Sequence, residues 1–108
     1  MSKEIIITTS EFVPGKKIKV ILGVVRGNTV RARNIGRDIA AGFKNLVGGE
    51  IKTYTEMITQ ARDEAYNRMV NEAIKMNADA VINVRFATSM IMQGASEMLA
   101  FGTAVKLG

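Results

Sequence analysis

Between residues 53 and 76 apolar positions recur every three or four residues: Tyr54, Met57, Ile58, Ala61, Ala65, Met69, Val70, Ala73, Ile74 and Met76. That spacing lines one face of an α-helix. Glu56, Gln60, Asp63, Asn67, Asn71 and Lys75 fall on the opposite side. Thr53 and Glu56 have the spacing of a capping box, which predicts a helix start at Thr53, and Asn77 suits the left-handed residue that closes a helix. At 1.5 Å per residue the stretch would span roughly 34 Å. Glu64, Arg68 and Glu72, four residues apart, are expected to form a ladder of surface ion pairs. Alanines at 61, 65 and 73 leave a shallow face suited to close packing on a sheet.

The rest of the chain mostly follows the two-residue period of β-strands. Ile5 to Thr9 is β-branched throughout, and Pro14-Gly15 marks a turn after it. From Lys17 to Val30, Ile18, Val20, Leu22 and Val24 alternate with Lys19, Ile21, Gly23 and Val25, and Gly27-Asn28 reads as a bend. Asp79 to Met92 is a further strand. Its Ala80, Ile82, Val84 and Phe86 are expected to face the helix, and its Val81, Asn83 and Arg85 to face away. Gln93-Gly94-Ala95 turns into a last strand from Ser96 to Lys106. A short helical pattern over 35–47, with Asn34 as N-cap and Gly48-Gly49 as its stop, lies before the long helix.

The element order is therefore β-β-α-α-β-β in a single domain spanning 1–108. The strand before the helices and the strand after them are expected to run parallel, with the last strand inserted antiparallel between them. The fold class is α+β with two layers: an antiparallel sheet of about four strands packed on one long and one short helix. Helices on one face leave the other face bare. That face is expected to carry Ile21, Val25, Val81 and either Met98 with Ala100 or Leu99 with Phe101. Such a surface calls for a partner, so sheets from several copies are expected to meet in a homo-oligomer.

Composition narrows the chemistry. The chain has no cysteine and no histidine. This removes disulfides, thiolate metal sites and the side chain that most often moves protons near neutral pH. No nucleophile–base pair, P-loop or nucleotide fingerprint is present, so neither an enzyme nor a bound cofactor is expected. There is no signal pattern and no bilayer-length apolar run, so the expected location is cytoplasmic, without a membrane partner. The net charge of +5 is concentrated in residues 1–52, which carry +6. A basic first half allows polyanion or nucleic-acid binding, but the basic residues are scattered and lack interleaved aromatics. Nucleic acid is therefore not the favoured partner.

Gly48-Gly49-Glu50, Ala61-Arg62 with Met69, the run from Ala78 to Phe86, and the closing Phe101-Gly102-Thr103-Ala104-Val105 together resemble the YbjQ-like family of small bacterial and archaeal proteins. The resemblance covers nearly the whole chain. It implies a dodecin-like subunit and a ring-shaped homopentamer. Where this chain has Asn83, the family often has glycine. The family is often labelled heavy-metal-binding, but soft metals prefer thiolate or imidazole, which this sequence lacks. Its remaining soft donors are methionine thioethers. Met90, Met92 and Met98 cluster around the last hairpin as weak candidates for copper(I) or silver, beside their ordinary use as gap fillers.

Arg85 sits mid-strand among apolar residues. It is expected to be partly buried and paired with Glu97 or with an acid from another subunit, as a structural ion pair or as an arginine lining an anion pocket. Tyr54, Arg62 and Asn83 are the next candidates for such a pocket. Helix packing, a surface ion pair and a strand hydrogen bond are their respective structural roles. The sequence therefore points to a small oligomeric protein with a non-enzymatic binding or structural role. Metal binding is the alternative, and polyanion binding through the basic half is a third reading.

Overall fold

The computed structural model describes residues 4–32 and 49–108, with side-chain surroundings from 55 onward in the second stretch. The expected short helix over 35–47 lies outside the described residues. The elements are β1 (Ile6–Ile7), β2 (Ile18–Ala32), α1 (Gly49–Lys75), β3 (Ala80–Met92) and β4 (Ala95–Leu107). The sheet order is β1-β3-β4-β2. β4 lies between β2 and β3, antiparallel to both, as the sequence predicts. β1 pairs with β3 in parallel, so the four-stranded sheet is mixed rather than antiparallel. The first strand is also short, and the segment after it continues beside β3 through the bonds Val84 N to Thr8 O and Asn83 N to Ser10 O. No helix among the described residues is long and apolar enough to cross a membrane.

α1 begins at Gly49, which places Thr53 inside the helix and rules it out as the cap. Nothing from Glu50 to Thr53 breaks a helix, so the capping-box spacing is overridden. The far end matches expectation. Asn77 adopts φ 60°, the Ala78 amide reaches the Ala73 carbonyl at 3.0 Å, and the Asn77 amide reaches that of Ile74 at 2.9 Å. These are the two bonds of a Schellman closure.

The buried face of α1 is a narrow stripe of Ala61, Ala65, Met69 and Ala73, one residue every four. Ile58, Ile74 and Met76, expected in this face, are exposed. The stripe presses onto β2, where a Cβ on Gly27 would overlap the Ala65 carbonyl oxygen and the Met69 amide nitrogen. Gly27 is therefore a seat for the helix inside a continuous strand and makes no bend. Tyr66 and Val70 flank the stripe and are half-buried against the same core.

Register shifts in β2 and β3 reset the alternation. In β2 the pairing shifts between Ile21 and Gly23. Val25 then joins Met69, Ala73, Ala100 and Ala104 in the core under the helix, while Val24 points outward, 71% exposed. In β3 the pairing jumps from Ile82–Thr103 to Arg85–Phe101. The extra residue is absorbed at Asn83, which adopts φ 54°, a left-handed conformation that few residues other than glycine tolerate. Val81 and Val84 consequently both face the helix core. Ala80 and Ile82 face the other way, with Val105, under Val13. Val81 was expected on the outer face and Ala80 and Ile82 on the helix face, and the bulge overturns all three. Val13 is held there by a tight turn in which the Lys16 amide bonds the Val13 carbonyl at 3.1 Å, with Gly15 at φ 78°.

Candidate functional site

The expected charge ladder on α1 does not form. Each of its members binds elsewhere. Glu64 pairs with Arg31 of β2. Arg68 donates to the backbone carbonyl of Asn28 at 2.5 Å, and Glu72 pairs with Lys75 at 3.9 Å. Because α1 lies along edge strand β2, Glu64 and Arg68 reach across to that strand instead of along the helix. Thr29, buried on β2, donates its hydroxyl to the Ala61 carbonyl at 3.1 Å, which fixes the helix at the same edge.

Arg85 is exposed rather than partly buried, and its partner is not Glu97. Its Nη1 donates to the carbonyls of Thr9 at 2.9 Å and Val84 at 2.8 Å. The reason is register: Arg85 lies opposite Phe101, while Glu97 lies opposite Ser89 on one side and Val30 on the other. Glu97 instead accepts from the Asn28 side-chain amide at 3.1 Å. Arg85 thus clamps the N-terminal segment onto β3, beside the Asn83 amide that bonds Ser10. Asn83 and Arg85 are both exposed. The Tyr54 side chain lies outside the described residues.

The outer face of the sheet, away from α1, can be read from the pairing. The Val24–Thr103 pair, the row Arg26–Phe101–Arg85, the row Asn28–Leu99–Ala87 and the row Val30–Glu97–Ser89 follow one another along it. Ile21, Val24 and Val30 are exposed there, and Leu99 and Phe101 are half-buried. Of the residues expected on this face, Ile21, Leu99 and Phe101 are present. Val25, Val81, Met98 and Ala100 instead pack toward the helix.

On the helix side, a cleft of about 360 Å³ opens between the first half of α1 and the hairpin end of β3–β4. Arg62, one of the sequence candidates, lines it, together with Met90 and Met98. Met92 is exposed nearby but is not part of its wall. The cleft adds residues that the sequence reading placed elsewhere. Met57 was assigned to the helix core, and Arg31 and Thr88 had no role. The i, i+4 relation of Met57 and Ala61 was a visible signal, but which strand it would face was not. Among the described residues no three of His, Cys, Asp and Glu come together as a metal cluster, and no buried side-chain nitrogen or oxygen lacks a hydrogen-bond partner.

The comparisons with known proteins agree with this architecture. A family model described as "YbjQ_1: Putative heavy-metal-binding" matches residues 5–108. A UPF0145 protein of Archaeoglobus fulgidus is 64% identical over 107 residues, covering 99% of each chain. One from Thermotoga maritima is 63% identical over 102 residues, covering 94% of this chain and 96% of its own. The chain belongs to this YbjQ family, also named UPF0145. A crystal structure of a DUF74-family protein of unknown function from Pediococcus pentosaceus shares the fold, with a TM-score of 0.64 over 96% of this chain and 98% of that one. Its identity of 19% limits that comparison to the fold.

Proposed function

We propose that this protein is a non-enzymatic, self-assembling binding or structural protein whose copies meet through the outer face of the sheet. The observation that carries this reading is the bare apolar surface formed by Ile21, Val24 and Val30 around Leu99 and Phe101. Apolar patches of this kind on soluble proteins commonly mark contact sites. The arginines flanking Phe101 give such a contact direction: Arg26 lies beside Phe101 on one side and Arg85 on the other. The family resemblance favours five copies in a ring. The lack of histidine and cysteine supports a role without catalysis.

Sedimentation equilibrium tests the assembly. The expected mass is about five times the 11.8 kDa chain, and it should fall in the double variant Val24→Lys/Leu99→Lys while the helical circular dichroism persists. A mass of one chain for the unaltered protein would refute the reading. Polyanion binding stays a lesser reading, supported only by the charge of the first half. A gel shift with DNA or RNA at low salt, lost steeply as salt rises, is its test.

A further inference from the structure

Three methionines from three different elements line one cleft: Met57 from α1, Met90 from β3 and Met98 from β4. We infer that this cleft is a binding site for a monovalent soft metal ion, copper(I) or silver(I), held by the thioether sulfurs of these three residues. The inference does not depend on self-assembly, because the cleft lies on the helix side of the sheet.

The placement of the donors supports it. Met98 lies opposite Thr88 and Met90 opposite Ser96, so the two methionines are diagonal neighbours on one sheet face. At such positions Cβ atoms are about 7–8 Å apart or somewhat less, and two unbranched side chains can close that gap onto a shared ion. Met57 and Met98 are half-buried, which limits their freedom. Met90 is 77% exposed, so packing within this chain does not account for it. A methionine left in solvent at the mouth of a cleft that two other methionines already line is placed as a third donor would be.

The ligand class follows from the donors. Thioethers are neutral and polarisable, and they select closed-shell monovalent soft ions over zinc or calcium. Zinc would require thiolate, imidazole or carboxylate. The sequence has no histidine or cysteine, and no carboxylate cluster occurs among the described residues. The charges in the wall disfavour a divalent ion more than a monovalent one, and the neutral sulfurs rather than charge attraction would hold the ion. Arg31 is neutralised by Glu64, Glu97 turns its carboxylate to Asn28, and Arg62 is a cation in the lining. A divalent ion would meet twice the repulsion from Arg62 that a monovalent ion meets.

The experiment is calorimetric titration of the intact protein with silver(I) nitrate in chloride-free buffer. The probe needs no reductant. About one ion should bind per chain, and zinc(II) should not displace it. Each of Met57→Leu, Met90→Leu and Met98→Leu should weaken binding by about tenfold or more. The triple variant should lose it, and Met92→Leu, outside the cleft wall, should keep it. Leucine preserves volume and removes only the sulfur. Should the triple variant not fold, Met90→Leu decides alone, since that side chain is exposed. Unchanged silver binding in Met90→Leu or in the triple variant, loss of binding in Met92→Leu, displacement by zinc, or no binding to the intact protein would each overturn the inference. The mass of the assembly is read separately, so neither proposal shields the other.

Discussion

The two ends of the sheet are made of the same three long strands and are solvated in opposite ways. At the end near Ala80 and Val105 strands β3 and β4 are covered on both faces, while Ile18, Val20 and Ile21 of edge strand β2 stay exposed. The second half of α1 lies on one side, where Met69 is fully buried, and Val13 seals Ala80, Ile82 and Val105 on the other. At the hairpin end the same strands carry Phe86, Met90, Ile91, Met92 and Val30 into solvent. The change falls just beyond the Asn83 bulge on β3. On the near side of it, every residue of the strand from Ala80 to Ile82 is buried; beyond Val84 every residue through Met92 is exposed. Strand propensity does not distinguish the two ends, since both are rich in β-branched or apolar residues. Coverage distinguishes them, and coverage is decided by where α1 and the Val13 turn land. The closed end holds the core of the chain, and the open end leaves apolar side chains in solvent.

The comparison breaks most severely at Gly27. Gly27→Ala puts a methyl group against the backbone of Ala65 and Met69, and backbone cannot rotate out of the way as a side chain can. Lifting the helix should cost about 3 kcal/mol or more. The measurement is the urea midpoint by circular dichroism, and a variant as stable as the parent would show that the helix seat is looser than described.

A smaller effect is expected at the boundary itself. Asn83→Val forces a β-branched residue into φ 54° and should cost about 1–2 kcal/mol. Asn83→Gly should be neutral or slightly stabilising. The two midpoints together separate backbone strain from side-chain loss, since glycine also lacks the amide. A valine variant matching the glycine variant would remove the bulge as the point where the faces switch.

The smallest effect belongs to the open end. Ile91→Lys lies on an exposed position and should change stability within about 0.5 kcal/mol. Measured in dilute solution, a loss well beyond that would mean the hairpin end is covered within one chain.

Much of the fold was legible in the residues. The three-and-four spacing from Met57 to Ala73 marked the long helix, Asn77 marked its end, and the order of elements placed the last strand between its neighbours. The faces were less legible. Strict alternation assigned Val25 and Val81 outward, and single-residue bulges at Gly23 and Asn83 reversed both assignments. A glycine within a strand hints at irregularity, but an asparagine carries that hint only faintly. The candidate site was harder still. Arg85 and Glu97 were plausible partners as an arginine and an acid on neighbouring strands, and the register alone separated them.

The chain by itself therefore determined what chemistry is available. Without histidine or cysteine, thioether sulfur is its soft donor, and the hydrophobic periods require one long helix and a hairpin. Those facts are properties of residue types and spacings, and no folding can alter them. The tertiary structure decided which faces those residues occupy. A side chain's direction along a strand flips with every inserted residue, and whether Met57 shares a cleft with Met90 and Met98 depends on the packing of residues more than thirty positions apart in sequence.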